Sequence, residues 1–422
     1  MPTQPSKRAI LLLVMTAPIL LGLPSLCMAA TGEGGQHEST ERASAPLTAP
    51  TSGEPEKIYR EETRGWWWQH VTFDGDLRAA LSLNIRGDRD GTDQSELLPV
   101  VRVRGGATIS LTPWLDARAR FAGFLDKDVD GLGFRFSHRR TIRSGDVTFD
   151  SLSLTLKPHE LLTMRIGRLQ TQFEMDSVVQ DSLSRHDSGG LDVNWTDGVH
   201  LTIGKSSSFK LHLIGQVNPA EGPTNGIGVR GPLDFKDGAS RVTYYVGLEA
   251  PRLTPFTQLV ADVTIIPRAL RPQGPGTDPQ EDAVAFTLKA AADFALQDGL
   301  KPLILHPFLE LGAMLSTPQE SVLEISNSPE RAGQFAVVGG IDLKHLGPGA
   351  LGFQFGWVQA GYLTSPDYPN NAWSLEARYK VSVIKNVVFE ARYRHRQDID
   401  KLVDLAERRT DDNILARITV GF

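Results

Sequence analysis

Beyond position 27 this 422-residue chain contains no cysteine, since Cys27 is the only one. Everything after it therefore lacks a thiolate nucleophile, a zinc-thiolate site and a disulfide framework. Beyond Leu23 no apolar run is long enough to cross a bilayer as a helix, which takes about 20 residues. Basic charge is not in excess either: 44 Lys and Arg stand against 50 Asp and Glu, a net charge of −6. No nucleic-acid footprint is expected from that balance. Catalytic signatures are missing as well, with no metalloprotease His-Glu-x-x-His and no lipase Gly-x-Ser-x-Gly.

What is present begins with residues 1–30, where Lys7 and Arg8 precede an apolar run from Ala9 through Leu23, followed by Ala29 and Ala30. This is the pattern of a secretory signal peptide cleaved near Ala29 or Ala30. Pro18 and Pro24 interrupt the run and no stop-transfer charge cluster follows, which speaks against a membrane anchor. Pro-Ser-Leu precedes Cys27 where a lipoprotein site needs a small residue, so no lipid anchor is expected. Residues 31–69 read as a disordered periplasmic leader rich in Gly, Ser, Thr, Pro and Glu. It ends in the cluster Trp66-Trp67-Trp68, an interfacial anchor or a plug for a barrel mouth.

From about Phe73 onward the chain alternates. Leu77, Ala79, Leu81, Leu83 and Ile85 share one parity, as do Leu152, Leu154 and Leu156, and the closing Ile414, Ala416, Ile418, Val420 and Phe422. Such strands have one apolar and one polar face, and rows of about ten residues cross a bilayer at a tilt. Short connections (Thr112-Pro-Trp114, Lys157-Pro-His159, Ile384-Lys-Asn386) alternate with long polar ones near 126–145, 169–187, 219–239, 267–281, 317–332 and 398–411. The pattern predicts an all-β fold over 70–422: a transmembrane antiparallel up-and-down β-barrel of about 16 strands, with short periplasmic turns and long extracellular loops. An even count requires Leu191 to Ile203 to be one crossing with a bulge or bend at Gly198, and 349–363 is read as one strand. A barrel of this size has a water-filled lumen, unlike one of about eight strands.

The ending on Phe422 resembles that of bacterial outer-membrane proteins, in which the terminal Phe is the signal for barrel insertion by the assembly machinery. Over 70–422 the chain resembles the bacterial porins. Ser153-Leu-Thr-Leu-Lys-Pro158 followed by Leu161-Leu-Thr-Met-Arg-Ile-Gly-Arg168 is similar to a hairpin in porins related to the phosphate-selective ones. The resemblance implies a passive diffusion channel for small hydrophilic solutes in the outer membrane of a Gram-negative bacterium, in contact with its lipids and lipopolysaccharide. It leaves a homotrimer open, and an export or secretion barrel or a structural, adhesive surface barrel are the alternatives. No enzyme is expected. His186-Asp-Ser-Gly-Gly190 resembles the nucleophile motif of chymotrypsin-type proteases, but its first Gly is His and no Ala-Ala-His-Cys precedes it.

If the apolar rows face lipid, the opposite parity faces the lumen. That set holds Arg78, Arg102, Arg104, Arg118, Arg120, Arg378, Lys380, Arg392, Arg394, Arg396 and Arg417. Barrel closure would gather them into one cationic, pore-lining ladder. Counted by parity, against lumen acids such as Asp116, Glu376 and Glu390, bases exceed acids by more than two to one, which predicts a mild preference for small anionic solutes. In porins the third long loop folds inward, and the resemblance places Glu174, Asp176 and Asp181 across a constriction from the ladder. Asp126, Asp128 and Asp130 with Gly131 resemble the start of a calcium loop, although Ser137 stands where the bidentate Glu belongs. No other cofactor is expected.

Overall fold

A computed structural model describes residues 70–422 except 130, 137–141, 188, 206, 226–229, 279 and 297–301. The signal peptide, the leader, Trp66 to Trp68, Asp130, Ser137 and Ser188 lie outside the described residues.

Sixteen long strands follow in chain order: β1 (Val71–Gly87), β2 (Asp93–Thr112), β3 (Leu115–Leu125), β4 (Asp146–His159), β5 (Leu162–Leu169), β6 (Thr196–Ile203), β7 (Lys210–Val217), β8 (Val242–Glu249), β9 (Phe256–Leu270), β10 (Glu281–Ala292), β11 (Ile304–Met314), β12 (Phe335–Leu346), β13 (Gly349–Val358), β14 (Ala372–Ile384), β15 (Val387–Asp398) and β16 (Thr410–Gly421). The pair Phe294–Ala295 prolongs β10 against β11, and Gly133–Phe134 lies parallel to β4. Each long strand is antiparallel to its neighbours, and β16 pairs with β1 from Asp76↔Gly421 to Gly87↔Thr410. The sheet closes on itself, so no backbone edge is left unpaired in lipid.

The two faces of each strand separate as the alternation predicts. Leu77, Leu81, Leu152, Leu154, Phe286, Leu288, Phe353 and Phe355 are all exposed on the outside. Each such side chain gains roughly 1.5–3 kcal/mol on leaving water for lipid, so the outer face is built for a bilayer. Short turns join the strands at one rim, and eight connections, here L1 to L8 (88–92, 126–145, 170–195, 218–241, 271–280, 315–334, 359–371 and 399–409), cross the other.

Two expectations are corrected. Leu191 to Ile203 is not one crossing: β6 begins at Thr196, and Leu191 to Trp195 belong to L3. Gly198 is no bulge, because it pairs in unbroken register with Gly167 and Gln216, and a side chain there would strike the Gly215 carbonyl. The count of sixteen stands because the apolar 191–195 stretch was never a strand. Likewise β13 stops at Val358, and 359–363 opens L7.

These misread stretches are apolar because they fold into the barrel. Leu183 of L3, Leu233 and Phe235 of L4, and Tyr362, Leu363 and Tyr368 of L7 pack on inward side chains such as Ile266, Met314 and Val338. Trp195 and Val193 pack on Ala122, with Phe124 and Ile142 beside them. The loop-side half of the lumen thus contains its own hydrophobic core, which fixes the loops that define the site.

Candidate functional site

L3 leaves β5 and returns to β6, yet its middle touches strands from β9 to β14, a reach available only through the interior. It is held there between two walls. On one side are the inward acids Asp262 of β9, Glu310 of β11 and Asp342 of β12. The Val178 N–H donates to Asp342 at 2.8 Å, the Ser182 hydroxyl and Leu183 N–H donate to Glu310 at 3.0 and 2.9 Å, and the Ser184 hydroxyl donates to Asp262 at 2.7 Å. Lys289 of β10 lies 3.6 Å from Glu310 and donates to the Phe173 carbonyl. Backbone donors and hydroxyls of one loop therefore satisfy a row of buried carboxylates that would otherwise be costly.

On the other side Asp181 meets the basic ladder. It accepts from Arg378 at 3.1 Å and faces Arg394 at 3.5 Å. Burial opposes its ionisation, but Arg378, then Arg394, Arg392 and Arg396, outweigh that and hold the carboxyl well below the usual range. Lys380 donates to Gln180 at 2.6 Å, and Gln354 donates to the Asp181 carbonyl at 2.9 Å.

The backbone of Glu174 and Asp176 is anchored away from the ladder. Gln258 of β9 donates to the Glu174 carbonyl at 3.0 Å and accepts the Asp176 N–H at 2.9 Å, and His306 of β11 bonds the Asp176 carbonyl at 2.5 Å. The main chain of L3 is thus fixed to β9 and β11 here, while the Glu174 carboxylate accepts from Gln180 at 3.4 Å.

L7 closes over L3 from the opposite wall. Asp367 accepts the Ser182 N–H at 2.8 Å and lies 3.4 Å from His186, while Arg396 donates to the Asp367 carbonyl at 2.5 Å. Burial pushes the Asp367 carboxyl up to about 7, against the pull of His186. Burial lowers His186, but Asp367 and Glu174 more than reverse it, so the imidazole is raised. Asp187 accepts from the Thr171 N–H at 2.6 Å and from the Thr196 hydroxyl at 3.0 Å. The His186-Asp187 pair is thus used to seat L3.

The eleven bases of the ladder divide into two groups. Arg102, Arg104 and Arg120 are sealed, at 0%, 4% and 2% exposure. Asp76 accepts from Arg102 at 3.1 Å and from Arg104 at 2.6 Å, and lies 3.3 Å from Arg78. Asp150 takes both arms of Arg120 at 2.9 Å. The expectation that these three line the pore is corrected, because Asp76 and Asp150 bury them, and Arg102 also donates to the Asp192 carbonyl of L3 at 3.1 Å.

Arg78, Arg118, Lys380, Arg394 and Arg417 keep 11–20% of their side chains open, and Arg392 and Arg396 are half-buried. Arg378 is 5% exposed between Glu376 and Asp181. Arg118 pairs with Asp74 at 2.7 Å and Arg417 with Glu390 at 2.7 Å, whereas Arg392 donates to the neutral Asn413 amide oxygen at 2.5 Å. Six carboxylates (Asp74, Asp76, Asp150, Asp181, Glu376, Glu390) therefore contact nine of the eleven bases, so the surplus is real but below two to one. Asp74 and Asp76 share the parity of Arg78 and belong to this set of opposing acids. Asp116 pairs with Lys157 at 2.8 Å, away from the ladder.

No family model matches the chain, and no curated protein matches it. Solved structures do. OprB of Pseudomonas putida, in its high-pH structure, superposes with a TM-score of 0.55 at 11% identity, over 84% of this chain and 94% of that one. An anion-selective porin from Comamonas acidovorans gives a TM-score of 0.50 at 12% identity, over 83% and 99%. The fold is that of the outer-membrane porins. In this barrel the oppositely charged walls and the loop between them are the candidate site.

Two other sequence expectations lie elsewhere on the barrel. Phe422 is exposed on the outside at the turn rim, where its N–H and carbonyl pair with Gly75 at 3.0 and 2.8 Å. Asp126 accepts the Asp128 N–H at 2.8 Å, and Lys127 lies 3.0 Å from Glu96 and 3.4 Å from Asp128. Among the described residues no group of three or more His, Asp or Glu converges as metal ligands.

Proposed function

We propose that the chain is an outer-membrane diffusion channel for small hydrophilic solutes, with a mild preference for anions. The observation that carries this reading is the asymmetry between the walls. The acids of β9 to β12 are capped by L3 donors, whereas Arg78, Arg118, Lys380, Arg392, Arg394, Arg396 and Arg417 remain partly open on β14 to β16, β1 and β3. A solute in the remaining path meets the positive sector, and low-dielectric walls focus its field. The test is a reversal potential for purified protein in a planar bilayer under a potassium chloride gradient. Absence of any conductance overturns the channel reading, and a cation-favouring potential overturns the selectivity.

The reading as a channel and not an enzyme is supported by the use of His186 and Asp187 in docking L3. Contact with outer-membrane lipid follows from the apolar outer band.

A further inference from the structure

A cavity of about 430 Å³ lies beneath L3 at the turn side of the barrel, against the turn-side ends of β5 to β9. It stands apart from the basic sector and is lined by groups of both signs: Arg165 and Arg252, and Glu174, Asp176 and Glu249. Its aromatic wall is Phe173, packed at 4.6 Å on Tyr245 and edge-on at 5.1 Å to His212. Gln258 fixes that part of L3 through both of its amide atoms, so the wall is held in place.

Polar groups in this cavity are arranged and left incomplete. His200 Nε2 lies 3.2 Å from His212 Nδ1, and His212 Nε2 lies 3.4 Å from Glu249, which Lys210 approaches at 3.1 Å. Both rings are more than nine-tenths buried. The chain orients His200 yet leaves its Nδ1 buried with no partner, and Thr257 Oγ1 is in the same state. Two such orphaned polar atoms in one cavity indicate a site for polar atoms of a guest.

We propose that this cavity is a binding station for a zwitterionic solute bearing a flat apolar group, of the size of an aromatic amino acid; the proposal rests on the channel reading. The guest's carboxylate is taken by Arg165 or Arg252, its ammonium group by Glu174, Asp176 or Glu249, and its ring by Phe173. A simple anion in the same place would sit against three carboxylates, and a simple cation against two guanidinium groups. A neutral sugar would desolvate both sets and pair with neither.

The experiment adds L-tryptophan at the turn side of single channels in a planar bilayer and counts current interruptions against concentration. Tryptamine, indole-3-propionate and neutral N-acetyl-tryptophanamide serve as controls. Tryptophan is expected to interrupt the current at concentrations at least about tenfold below each control, because each lacks one or both charged partners. Phe173→Ala, Glu174→Gln and Arg252→Gln should each weaken the block by roughly fivefold or more. Equal block by all four probes, an undiminished block in these variants, or a conducting channel that tryptophan never interrupts overturns the proposal. If the protein does not conduct, the channel reading fails. Calorimetric titration of the detergent-refolded protein with tryptophan then decides the site alone: binding weakened in Glu174→Gln supports it, and no binding overturns it.

Discussion

Arg378 of β14 donates through Nη2 to Asp181 of L3 at 3.1 Å while its Nε donates to Glu376 at 2.8 Å. One guanidinium group thus ties L3 to the wall and spends its own charge in doing so. Asp181→Asn keeps the shape of the contact but removes a negative charge facing Arg394. The expected result is a shift of the reversal potential toward stronger anion preference, by about twofold in permeability ratio, with noisier open-channel current. An unchanged reversal potential would mean that ions pass elsewhere.

Removing L3 between residues 172 and 186 should raise conductance, since the loop crosses the lumen. Its removal also strips the donors from Asp262, Glu310 and Asp342. The widened channel should therefore lose much of its anion preference. Larger conductance with undiminished preference would show that the capped acids do not face the ion path.

The contact between His186 and Asp367 makes the docking of L3 on L7 depend on pH. His186 is raised by Asp367 and Glu174 against burial, so its contribution is complete below about 6.5 and is lost as pH rises through its folded value. Asp367 is raised by burial to about 7, so the docked state binds its proton more tightly and weakens as pH climbs toward that value. Both signs run the same way. Asp181, Asp187, Lys289 and Arg396 also face this pair, and none of them reverses the direction. Open-channel current should be quieter at pH 5.5 than at 8.5, and His186→Ala should abolish most of the difference. Equal noise at both values in the unaltered protein would refute the docking argument.

The barrel was legible because period-two alternation is imposed by a lipid face and a lumen face, a constraint that acts on every strand independently. Loop structure obeys no such period. Trp195, Tyr362 and Leu363 looked like strand residues because apolar side chains buried among loops and apolar side chains facing lipid have the same chemistry. The ladder was legible by parity, but which rungs stay open was not. Arg102 and Arg394 share their inward parity; only the path of L3, set by contacts with strands more than a hundred residues away, covers one and leaves the other open.

Phe422 closes the barrel against Gly75, and a methyl group at Gly75 would run into the Phe422 ring. Phe422→Ala or Phe422→Lys should leave secretion to the periplasm intact but prevent assembly in the outer membrane. Gly75→Val should impair assembly similarly by displacing the ring. Heat-modifiable barrel at normal levels in all three would show that the terminal aromatic is dispensable.

The split within the ladder yields the sharpest test of where ions travel. Arg102 is wholly buried and shares Asp76 with Arg104, so Arg102→Gln leaves a buried carboxylate undercompensated. Breaking such a pair costs roughly 3–5 kcal/mol, and the expected effect is a lower unfolding temperature with little change in selectivity. Arg394 is partly open, and Arg392 donates only to a neutral amide. Arg392→Gln and Arg394→Gln should lower the unfolding temperature less than Arg102→Gln, because Asp181 keeps Arg378 and Asn413 keeps Ser82, while reducing anion preference. Arginine stays protonated throughout the physiological range, so the share of the preference carried by Arg392 and Arg394 should hold steady between about pH 6 and 9 even as the loop current grows noisier. The measurement pairs thermal unfolding with the reversal potential for each variant. Selectivity that follows Arg102 and ignores Arg394 would place the ion path along β2, past the L3 carbonyl that Arg102 bonds.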